Sequence, residues 1–348
     1  MDIGNLGMSA AATVLVLAVI PLLSLLQQRL SGRNVSGRWP GIVYIAAVGA
    51  LVTVVGFSLG VGRIPPLLFA PFVALGALFA VIASSPIVSS SARRLPTLLF
   101  SASSTAFVFV PVSIIAFGST FDPFGTGLGV IDLGGSLPAL VAAGAAGLGV
   151  VWVERGSQDV AGGRAGSRSV LWPALALWGV WIGWLVGFEL VIDEATPLIL
   201  TNAVLMPVAG ASASALVERL KRRSNTTTGL VTGLLAGLAA ATPACAYLLP
   251  PLAILTALLA GAVCALLPRD GAHSGMNIVL GTCLVAASLG GVLLGALATN
   301  LGYIYTGQPE VLLGQLLSVV VTATLAFVVG AGLWAALRRI RRSDPVFN

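Results

Sequence analysis

Apolar stretches of bilayer-crossing length follow one another along this chain, and the basic residues between them fall on one side only. Arg29, Arg33 and Arg38 sit in the first polar connector, Arg93 and Arg94 in the third, and Arg155, Arg164 and Arg168 in the fifth. Arg219, Lys221, Arg222 and Arg223 occupy the seventh, Arg269 the ninth, and Arg338, Arg339, Arg341 and Arg342 the tail. Of the 18 Lys and Arg residues, only Arg63 lies in an even-numbered connector. Cytoplasmic loops hold Lys and Arg because moving them across a membrane is costly. The pattern therefore predicts a multi-pass protein of the cell (plasma) membrane with its N-terminus outside and its C-terminus in the cytoplasm.

A bilayer core takes about 20 apolar residues per helix. The predicted spans are 8–27, 41–61, 66–88, 96–117, 133–153, 170–192, 196–217, 228–247, 251–268, 276–297 and 310–336. Eleven is odd, as termini on opposite sides require. All are read as helices, since an open sheet edge has no partners in lipid. The chain is thus an all-α polytopic membrane protein, a single transmembrane domain over 1–348.

Composition excludes the rival classes. Only 9% of the 348 residues are charged while 57% are hydrophobic, and mean hydropathy is +1.02; a soluble domain carries about a quarter charged residues. The pI near 9.9 reflects a cytoplasmic collar facing anionic lipid headgroups, each basic residue contributing ~1 kcal/mol near the surface, so no nucleic-acid partner is expected. Cys245, Cys264 and Cys283 lie in apolar stretches at unrelated spacing, which suits inert buried thiols rather than a metal or redox site. The first span has Asp2 before it and Gln27, Gln28 and Arg29 after it, unlike a cleavable signal peptide. With no nucleophile–base pair, metal cluster or phosphate loop, an enzyme, a metal and a cofactor are not expected.

Short motifs in order along the chain resemble the ammonium transporter family (Amt/Mep/Rh). Arg33-Asn34-Val35-Ser36 resembles the loop after that family's first helix, and Gly56-Phe57-Ser58-Leu59-Gly60-Val61-Gly62 the close of its second. Leu98-Leu99-Phe100-Ser101-Ala102, then Pro111 and Phe117-Gly118, is similar to its fourth helix, which ends in HWVWG. Gly129-Val130-Ile131-Asp132-Leu133-Gly134-Gly135 resembles GVLDFAGG, and Trp181-Ile182-Gly183-Trp184 the tryptophans of the sixth helix. Thr201-Asn202 resembles an NTN run, and the stretch from Gly237 through Thr242 and Pro243 to Ala244 resembles GLVAITPA.

The resemblance implies two inverted five-helix halves, about 8–153 and 170–297, with a long eleventh helix at about 310–336. It also implies a homotrimer with one pore per subunit that passes ammonium, ammonia or a related small solute. Inverted repeats place such a path between the halves, near the midplane.

The same resemblance exposes a gap. Family pores carry two histidines, one each in the fifth and tenth helices; this chain has one in all, His273, in the ninth connector. The matching pore positions fall near Ala139 and Leu280. Imidazole donates, accepts and changes charge near neutral pH, and alanine and leucine do none of these, so a proton relay of the usual kind is not expected. Phe117 stands where the family has an outer tryptophan, keeping a ring face for cation–π contact. Gly187-Phe188-Glu189-Leu190-Val191 replaces the stretch that carries a cation-recruiting serine.

The outer vestibule is therefore expected to involve Asp132, Phe117, Phe107, Trp184, Phe188 and Glu189, with Thr242, Pro243 and Asn202 as structural motif residues. Asp132, just before the fifth helix, is read as a cap on free N–H groups in preference to a direct cation contact. Glu189, an acidic residue near the outer end of a span, either faces the vestibule or reaches interfacial water beside Asp193 and Glu194. Phe107, Trp178, Trp181, Trp184 and Phe188 either line a path or pack, with Trp184 the leading pore candidate. The alternative function is a non-conducting sensor or a partner subunit in mixed trimers, or a channel for another small neutral solute. The short tail argues against a PII-type regulator.

Overall fold

The computed structural model describes residues 3–31, 39–59, 64–89, 94–117, 130–154, 168–222, 227–267 and 274–340. The Arg33–Ser36 motif, Arg38, Gly60–Arg63, Arg93, residues 118–129 and 155–167, Arg223, Arg269, His273, Arg341 and Arg342 lie outside them. Apolar helices fill the stretches picked out by hydropathy. The first five are α1 (Ile3–Ser31), α2 (Trp39–Ser58), α3 (Phe69–Ser89), α4 (Arg94–Ser104, a wide π-turn at Thr105–Phe109, then Val110–Phe117) and α5 (a π-turn at Leu137–Val141, then Ala142–Val153). The remainder are α6 (Arg168–Glu189), α7 (Thr196–Arg222), α8 (Thr227–Ala244), α9 (Pro250–Ala265), α10 (Ser274–Leu297) and α11 (Glu310–Ile340). Among the described residues, 9 helices are long and apolar enough to cross a membrane, with Leu137–Val153 and Pro250–Ala265 as shorter apolar partners.

Two details depart from uniform helices. Prolines stand inside α1, α3, α6, α7 and α8 (Pro21, Pro86, Pro173, Pro207 and Pro243). Membrane helices tolerate prolines because neighbouring helices and local turns can satisfy the carbonyls they free. In α4, Pro111 follows the π-turn and brings no N–H to the ladder, while its ring crowds the turn before it.

Burial separates centre from rim. The buried share of the apolar windows is 78% in α8 and 72% in α3, against 33% in α11 and 28% in α2. Helices α3 and α8 therefore run through the middle. The rim presents Val14, Val43, Leu51 and Val328, each at least 60% exposed, a surface suited to lipid rather than water. Inside, small residues set the distances. In α2 an added Cβ on Gly49 would collide with Ala80 of α3, and in α8 one on Gly237 would strike the Met206–Pro207 backbone of α7. Gly237→Val forces those helices apart, an overpacking of about 1–3 kcal/mol or more. It should lower Tm and broaden the size-exclusion peak; an unchanged melting curve would rule that contact out.

Candidate functional site

Helix α6 arranges its side chains by face. Gly183 and Gly187 back onto α1, where an added Cβ would stand 2.7 Å from Leu15 Cδ1 and 2.8 Å from Ala12 Cα. Trp178 Nε1 donates to the Ala203 carbonyl of α7 at 3.0 Å. Trp181 Nε1 donates to Thr242 Oγ1 of α8 at 3.0 Å. The face left between α1 and α8 carries Trp184 and Phe188, 0% and 5% exposed. Both aim at the bundle interior.

There they meet rings from the other half of the chain. Phe72 of α3 lies 4.6 Å from Phe117 at 75° and 6.2 Å from Phe188 at 55°. Phe57 of α2 stands 6.2 Å from Phe72 and 6.2 Å from Phe69. Beneath them, Trp184 is 6.4 Å from Phe188 and 4.8 Å from Trp181. Edge-to-face and tilted contacts over such distances are the favourable ones for aromatic quadrupoles. The result is a continuous aromatic column. Phe72, fully buried at its hub, escaped the sequence reading; the available signal was an aromatic near the start of one of the most buried spans.

The column rests on a stapled loop. The carbonyls of Thr242 and Pro243, near the end of α8, accept N–H from Gly134 (3.0 Å) and Leu133 (3.4 Å). Such carbonyls have no intrahelical donor. Gly135 turns the chain at φ 72°, a conformation glycine adopts without strain. Asp132 then accepts from Ser136 N at 2.8 Å on Oδ1 and from Leu137 N at 2.7 Å on Oδ2, an N-terminal cap on α5. Gln315 Nε2 of α11 donates to the Ile131 carbonyl at 2.9 Å. Asn202 fastens the turn after α8, its Nδ2 donating to the carbonyls of Cys245 (2.8 Å) and Leu248 (2.7 Å).

Two expected placements come out differently, and Glu189 takes one of the two positions open to it. Phe107 is 62% exposed, turned to the rim by the π-turn of α4 rather than into the vestibule. Glu189 Oε2 accepts from Thr196 Oγ1 at 2.7 Å, and that hydroxyl in turn accepts from Asp193 N at 3.0 Å. Glu189 thus orders the α6–α7 turn, where Leu190 sits at φ 64°. Ala139 and Leu280 are both fully buried, yet they do not face each other. Leu280 packs against Gly147 of α5, two turns deeper than Ala139. The stretch of α10 level with Ser136–Val141 is Ala287–Gly291, across a small cavity that Asp132 and Gln315 also line. Among the described residues, no group of three or more His, Cys, Asp or Glu could hold a metal.

An all-helical bundle, apolar at its rim and packed with rings between its central helices, defines a multi-pass membrane protein. A model of the Ammonium Transporter Family matches residues 22–341. The chain belongs to that family, which is one of transporters rather than enzymes. An ammonium transporter of Bacillus subtilis (strain 168) is 27% identical over 268 residues, 72% of this chain; the match spans 65% of that relative's length. Among solved structures, Saccharomyces cerevisiae Mep2 superposes with a TM-score of 0.80 at 20% identity, over 98% of this chain and 89% of that one. A protein described as a sensor Amt protein gives 0.80 at 18% identity, over 97% and 94%. At these identities the superpositions speak for the fold alone.

Proposed function

We propose that this protein passes ammonia across the plasma membrane by an uncoupled route, one path per subunit of a homotrimer. The reading carries eleven crossings, two inverted halves and an outside N-terminus. The one-sided Lys and Arg support the orientation. The matching glycine contacts of α2 with α3 and of α7 with α8 support the halves. One observation carries the function: the ring column closes on Trp184 in a chain with a single histidine, so no imidazole pair exists to relay a proton. Phe117 and Phe188 offer ring faces that attract ammonium to the outer mouth. Ala139 lies beyond, in an apolar interior that a charged species enters at high cost.

The test is an ammonium jump on proteoliposomes, with internal pH and current recorded together. Internal alkalinisation without current is the expected result. Current equal to that of a histidine-bearing homologue would refute uncoupled flux. Silence in both channels, from inserted protein, would favour the non-conducting sensor or partner subunit instead.

A further inference from the structure

Among the described residues, the buried and half-buried tryptophans donate their N–H groups with one exception. Trp178 and Trp181 donate to Ala203 and Thr242 at 3.0 Å each, and Trp334 donates to Glu154 Oε1 at 2.7 Å. Trp184, fully buried, has no partner for Nε1. A buried donor left unpaired is costly, and indole N–H groups find partners wherever they can. The orphan lies at one particular place. Trp184 faces the seam between α1 and α8, beneath Phe188 and Phe72. Its ring lies 4.8 Å from that of Trp181, one turn earlier in α6, and 6.4 Å from that of Phe188, as expected of side chains that lean toward the start of their helix.

We propose that the Trp184 Nε1–H is a solute-selecting donor, the hydrogen-bond group that receives a neutral acceptor solute in the seam. This inference rests on the ammonia reading above and names what enforces it. Indole nitrogen donates and never accepts. Ammonia brings one lone pair and can take that bond; ammonium brings four N–H groups and no lone pair, so donor would face donor. Ring faces further out favour the cation, and the indole edge below them favours the free base. The donor does not titrate, so flux follows the concentration of free ammonia in the bathing solution, and no proton is transferred within the protein. Methylamine, which also has a lone pair, belongs to the same accepted class.

The decisive variant replaces Trp184 by β-(3-benzothienyl)alanine, which keeps the bicyclic shape and puts sulfur in place of N–H. Full-length protein in proteoliposomes is assayed for ammonia-driven alkalinisation, alongside the indole N–H Raman band with and without ammonia. The expected result is a fall in flux of about three- to tenfold, the equivalent of one hydrogen bond. An ammonia-dependent band shift should appear in the native protein and be missing from the variant. Trp184→Phe, which also removes the donor, should lose flux in the same direction and stands in if the first variant fails to insert. Flux within twofold of native in both variants would overturn the donor role while leaving ammonia transport intact. So would lost flux in a protein whose native form shows no band shift, since shape alone would then explain the loss. Native protein that passes no ammonia would remove the function, and the donor with it.

Discussion

Asp132→Ala should unfold the N-terminal end of the fifth helix and abolish transport, with the loss of stability coming first. Two carboxylate oxygens accept backbone N–H groups at 2.8 and 2.7 Å in a residue only 7% exposed. Removing them leaves the Ser136 and Leu137 N–H groups buried without partners. Hydrogen bonds to a charged acceptor are each worth more than neutral ones, and the unpaired donors add their own penalty, so the loss should reach about 2–5 kcal/mol. Asp132→Asn keeps one acceptor oxygen and turns an amide donor toward the other N–H; it should fall between the native protein and alanine. Thermal melting in detergent reads the order directly. A cation-recruiting role makes a different prediction: Asp132→Asn would raise the KM for ammonium with the melting temperature unmoved. That outcome would sink the capping account.

The cap was the favoured reading in the sequence because a carboxylate just before a helix can take its free N–H groups. The apolar helices were legible for a similar reason: in lipid the backbone leaves only the helix available, so length and hydropathy point to them. Side-chain direction was less accessible. Glu189 in the sequence is a carboxylate near the end of an apolar span; only the Thr196 hydroxyl, seven residues on, reveals that it serves the turn. Phe107 lies in a run whose helical phase is shifted by the π-turn at Thr105–Phe109, and no periodicity argument anticipates one extra residue in a turn. Phe72 was invisible because its partners, Phe57, Phe117 and Phe188, come from three other helices whose meeting is a tertiary fact. The levels of Ala139 and Leu280 failed similarly, since an antiparallel crossing is set by where Gly144 and Gly147 let α5 and α10 approach.

Phe72→Ala should move stability and permeation in opposite directions. The ring is fully buried and touches three others, at 4.6, 6.2 and 6.2 Å. Its loss removes three aromatic contacts and leaves a cavity in a packed centre, a change of about 3–5 kcal/mol for Phe→Ala. The melting temperature should therefore fall. The cavity, however, opens where Phe72 separates Phe117 from Phe188, directly over the approach to Trp184. Ammonia flux should rise, and methylamine, with one more carbon to pass, should gain more than ammonia does. Phe72→Leu fills most of the volume without a ring and should keep the native ratio of the two solutes while losing part of the stability. A ring that served only as packing would behave otherwise, with both solutes slowed together as the protein weakens. The ratio of methylamine to ammonia flux is the quantity to follow, because it is insensitive to how much protein survives reconstitution. If that ratio stays native in Phe72→Ala, the column is a structural core and the barrier lies deeper, at Trp184 or below it.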